Sequence, residues 1–65
     1  MNDNVFVVEE DFPLEGLSFR HIFLNLEEAK NWCKAQMKHQ EFFISSYSLK
    51  THEDCRVVTA MYGDT

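Results

Sequence analysis

Residues 25–40, Asn25-Leu26-Glu27-Glu28-Ala29-Lys30-Asn31-Trp32-Cys33-Lys34-Ala35-Gln36-Met37-Lys38-His39-Gln40, decide the fold. They carry the chain's only helical punctuation, and the segments on either side of them read as strands. Asn25 is a good N-cap, and Glu28 three residues on completes a capping box. Glu27 and Glu28 stand at the positive end of the helix dipole, Lys38 and His39 at the negative end. Leu26, Ala29, Cys33 and then Gln36 or Met37 recur every three or four residues with Trp32 beside them, so one stripe faces a core. Lys30, Lys34 and Lys38 are four apart and form a second stripe on the other side. The spacing predicts one helix over residues 25–40.

Upstream, Val5-Phe6-Val7-Val8 is a wholly apolar, β-branched run, the pattern of a strand covered on both faces. Residues 9–16 follow as an acidic loop containing Pro13 and Gly16. Residues 18–24 alternate, with Phe19, His21 and Phe23 on one side and Arg20, Ile22 and Leu24 on the other, which predicts a second strand. Downstream, residues 41–49 form a third strand, with Phe42 and Ile44 on one face and Phe43, Tyr47 and Leu49 on the other. A polar turn at residues 51–54 leads into a fourth strand over residues 55–62, rich in β-branched side chains. The expected fold is therefore α+β, a ββαββ chain forming a small antiparallel or mixed four-stranded sheet with one helix packed on one face. The helix should run back along the sheet and release strand three parallel to strand two. Strand one then falls between strands two and three, with strand four beside strand three.

With 65 residues the chain is a single domain, 1–65, near the lower limit for independent folding. A domain of this size buries only about 60% of its unfolded surface. Six Phe, two Tyr and one Trp supply more ring surface than one short helix can cover. The second sheet face, expected to show some of Phe6, Phe19, Phe23, Phe43 and Tyr47, should meet a partner. A self-complementary homodimer is the expected arrangement. Eleven acids against six bases leave a net charge of −5, which argues against nucleic-acid binding, where clustered Lys and Arg are needed. No charged-then-apolar leader and no membrane-length apolar run is visible, so no membrane role is expected. With only Cys33 and Cys55, the chain reads as cytoplasmic with both thiols reduced.

Candidate chemistry is thin. His52-Glu53-Asp54-Cys55 with Cys33 or His39 has neither a CxxC pair nor a second HxxC, and a polar turn entering a strand accounts for it. Cys33 with His21 or His39 is formally a nucleophilic pair, yet a thiol on the apolar stripe of a helix is in the setting of an inert one. No glycine-rich phosphate loop or nucleophile elbow appears. Neither a metal, nor a cofactor, nor catalysis is expected. The acidic cluster Glu9, Glu10, Asp11 and Glu15 reads as a solvated loop. Single-strand binders stack bases on open aromatic sheets but add a basic groove, which Arg20 and Arg56 alone do not make.

Beginning its helix with Leu26-Glu27-Glu28-Ala29, the chain resembles short proteins of bacteria and their phages. In these a strand pair, one such helix and returning strands make a complete domain, and the resemblance carries no activity with it. The expected function is a small acidic accessory or inhibitor protein, non-catalytic, that binds a host protein. Its expected interface residues are Phe19, Phe23, Phe43, Tyr47, Lys30, Lys34 and Lys38. The alternative is a binder of a nucleotide-like small ligand at the seam of a dimer.

Overall fold

The computed structural model describes residues 4–49 and 55–65, without the side chain of Cys55. The chain runs β1 (Asn4–Phe12), β2 (Gly16–Phe23), α1 (Leu26–Lys34), β3 (Glu41–Ser48) and β4 (Cys55–Tyr62), the order expected from the sequence. All three pairings are antiparallel, and the sheet order is β2-β1-β3-β4. Since β2 and β3 both oppose β1, they run parallel to each other, as the return of the helix requires. The polar turn at residues 51–54 lies outside the described residues.

The acidic stretch after the apolar run proves to be strand rather than loop, because its charges alternate. Glu10 takes the inward position, 5% exposed, while Glu9 and Asp11 point to the other face. Arg20 Nε lies 3.5 Å from one buried oxygen of Glu10, and Gln40 Nε2 donates to the other at 3.2 Å. The loop is thereby reduced to Pro13, Leu14 and Glu15. Glu15 N–H donates to the Phe12 carbonyl at 3.0 Å, and Gly16 follows at φ +87°, the left-handed residue that closes a three-residue hairpin.

The core lies between α1 and one sheet face. Val8, Ala29, Cys33, Phe42 and Ile44 are fully buried there, with Phe6, Phe23, Leu26, Trp32 and Met61 packed around them. Asn25 caps the helix as expected, its Oδ1 accepting from the amides of Glu27 at 2.8 Å and Glu28 at 3.3 Å. The helix ends at Lys34, six residues before the expected Gln40. The cause is a competing set of donors. Residues 63–65 fold back beneath the helix end, where the amide of Asp64 donates to the Lys34 and Gln36 carbonyls and that of Thr65 to Gln36. Thr65 Oγ1 donates to the Ala35 carbonyl. These bonds occupy the acceptors that further helical turns would have used.

Candidate interaction surface

One register shift decides which rings face outward. Between β1 and β2, Val8 opposes His21 but Glu9 opposes Phe19, so Arg20 is an extra residue that reverses the alternation. His21 and Phe23 therefore lie on the helix side and Phe19 on the other, correcting the shared face expected for all three. Phe23 belongs to the rim of the core, its ring 6.3 Å from that of Trp32. His21 stacks on Trp32 at 6.0 Å, and Phe6 also packs against the core. Of the rings expected on the open face, Phe19, Phe43 and Tyr47 are there.

The registers arrange the open face in rows across the four strands. Leu17, Asp11, Glu41 and Tyr62 form the first row; Phe19, Glu9, Phe43 and Ala60 form the second. Ile22, Val7, Ser45 and Val57 form the third, and Val5 and Tyr47 lead into the fourth. Leu17, Phe19, Ile22, Tyr47, Val57 and Tyr62 are each between 37% and 63% exposed. No described element covers them, because α1 lies on the opposite side. Rows one and two hold every carboxylate of this face, and rows three and four are apolar around Ser45. In the first row Glu41, hydrogen-bonded to Tyr62 and charged beside it, raises the Tyr62 phenol above its ordinary pKa; slight desolvation and the charge of Asp11 add to this.

No family model, curated protein or solved structure matches the chain.

The other candidates are dispersed. Lys30 pairs with Glu27 at 3.8 Å and Lys34 ends the helix, but Lys38 lies beyond it, so the three do not form one stripe. Cys33 is a free, buried thiol whose pKa rises from 9.0 to about 11 because burial disfavours the thiolate, a poor nucleophile at neutral pH. The His52-Glu53-Asp54-Cys55 group lies outside the described side chains. Among the described residues no three His, Cys, Asp or Glu are grouped to hold a metal ion. No described helix is long and apolar enough to cross a membrane. A hollow of about 440 Å³ lies where the helix does not reach, lined by Asn4, Ser46, Ser48, Arg56, Val57 and Val58.

The face members that sequence reasoning missed are Leu17, Ile22, Val57, Tyr62 and the three carboxylates. Alternation carried on from Val8 through Phe12 would have placed Glu9 and Asp11 there. The phase of β2 carries no such signal, since the extra residue appears only once the pairing partner is known.

Proposed function

We propose that this chain is a non-catalytic protein-interaction module of the small accessory or inhibitor kind, working in the cytoplasm through the open face of its sheet. The observation that carries this reading is the set of six large apolar side chains left half-exposed on one face. Apolar patches of this extent on a small soluble domain are interaction surfaces more often than accidents. The chain's having only two cysteines, Cys33 and Cys55, supports the cytoplasmic setting.

The test is capture of partners from the cells that make the protein, comparing the native chain with an Ile22→Asp/Val57→Asp variant. Both residues are more than half exposed, so the variant should fold. It should lose whatever the native chain retains. A small-ligand protein would instead show a melting temperature raised by nucleotides, following RT ln(1 + [L]/Kd). Retention of every partner by the variant would refute the assignment to this face. The homodimer expected from composition would use the same face.

A further inference from the structure

The distribution of charge on the open face distinguishes its possible occupants. Asp11 and Glu41 stand directly opposite each other in neighbouring strands, and Glu9 lies on the same face one row away. Like charges in directly opposed positions destabilise a sheet. No described Lys or Arg stands with them. Arg20 pairs with Glu10 on the helix side, Lys30 and Lys34 are on the helix, and Lys38 follows it. Arg56 opposes Ser46, which also places it on the helix side. The face thus has two apolar rows at one end and three carboxylates at the other, with the Tyr62 hydroxyl donating to Glu41 but no described cation beside them.

A second copy does not relieve this arrangement. Face-to-face pairing about a two-fold axis admits two extremes. With the axis along the strands, the carboxylate rows meet each other. With the axis across the strands, the carboxylates are pressed onto the partner's Val5, Val7, Tyr47 and Val57. The first opposes like charges, and the second buries them unpaired, which is costly.

Resting on the reading of this face as an interaction surface, we infer that its occupant is a different protein, one presenting apolar side chains together with Lys or Arg. Cations of that partner lie over Glu9, Asp11 and Glu41, and its apolar groups cover Ile22, Val7, Tyr47 and Val57. The like-charge pair is then a feature of the free chain that binding relieves. Complementary charge of this kind also steers encounter and selects among partners.

The probes are three synthetic peptides of alternating Leu with Lys, Gln or Glu, titrated into the isotopically labelled chain. The Leu/Lys peptide should shift the resonances of Phe19, Ile22, Phe43 and Tyr47, and its binding should weaken with added salt. The Leu/Glu peptide should not bind. A Glu9→Gln/Asp11→Asn/Glu41→Gln variant should bind Leu/Lys roughly tenfold more weakly, three exposed ion pairs being worth about that much. Asp11→Asn alone should raise the melting temperature of the free chain, a readout independent of any ligand. Equal binding of Leu/Lys and Leu/Gln, or undiminished binding by the triple variant, overturns the cationic partner while leaving the face an interaction surface. So does a dimer in sedimentation that Ile22→Asp splits. A monomer whose open face no peptide touches overturns both the partner and the face.

Discussion

Gly63 is buried where the chain turns under the helix end, and a Cβ built there would land on the backbone carbonyls of Gln36 and Met37. Backbone cannot yield as a flexible side chain does, so Gly63→Ala should cost on the order of 3 kcal/mol. In a domain of this size that lowers Tm by well over 10 °C, roughly 4–8 °C per kcal/mol. Gly16 is the control, because its Cβ would meet nothing within 4 Å and only its φ of +87° opposes substitution. Gly16→Ala should cost about 1 kcal/mol. Thermal melts of the two variants check the contrast, and equal losses would mean that residues 63–65 do not dock. Cys33 gives a pH signature. Its pKa is raised in the folded chain, so the native state holds the thiol proton more tightly than the unfolded one. Its contribution to stability is full below pH 9 and declines as pH rises from 9 towards 11. Denaturant midpoints across that range should fall more steeply for the native chain than for Cys33→Ala.

At the scale of elements, punctuation and alternation were legible, and competition between distant segments was not. The Asn25 cap was readable because capping is local. Asn25→Ala should cost about 1 kcal/mol, read from denaturant unfolding, and an unchanged midpoint would mean the cap contributes nothing. The helix end was unreadable because the donors that stop it come from residues 63–65, about thirty positions away. Residues 35–40 carry good helix formers, and their propensity yields to those tertiary hydrogen bonds. In β1 the acidic run resembled a loop by composition, yet Glu10 could enter the core side only because Arg20 and Gln40 arrive there from other elements. The strand order expected from the sequence is the one observed. Placement of the rings is not, since the extra residue Arg20 carries no mark in the sequence of β2. Three of the five rings named for the open face, Phe19, Phe43 and Tyr47, are there; Phe6 and Phe23 lie on the helix side, and Leu17, Ile22, Val57 and Tyr62 join the face instead.

For the molecule as a whole, one helix and one sheet make two layers, and the Cα envelope is only 15 Å in its thinnest direction. The chain exposes 4736 Å². A compact monomer of 7.7 kDa should expose about 4300 Å², leaving an excess of roughly 400 Å². Large apolar side chains in water include those of the bare sheet face as well as Leu14, Leu24 and Met37. If the face serves a partner rather than the fold, stability should be indifferent to it. Ile22→Thr and Val57→Thr remove methyl groups already more than half in water, and each should change unfolding free energy by less than about 0.5 kcal/mol. Ile44→Ala, on the other face of the same sheet and fully buried, should cost about 3 kcal/mol. Denaturant titrations at two protein concentrations make the comparison decisive. A concentration-independent midpoint, insensitive to Ile22→Thr and Val57→Thr, is the behaviour of a monomer holding an interaction surface in reserve. A midpoint that rises with concentration and falls with those substitutions would make the face part of an obligate dimer, whose stability is inseparable from association.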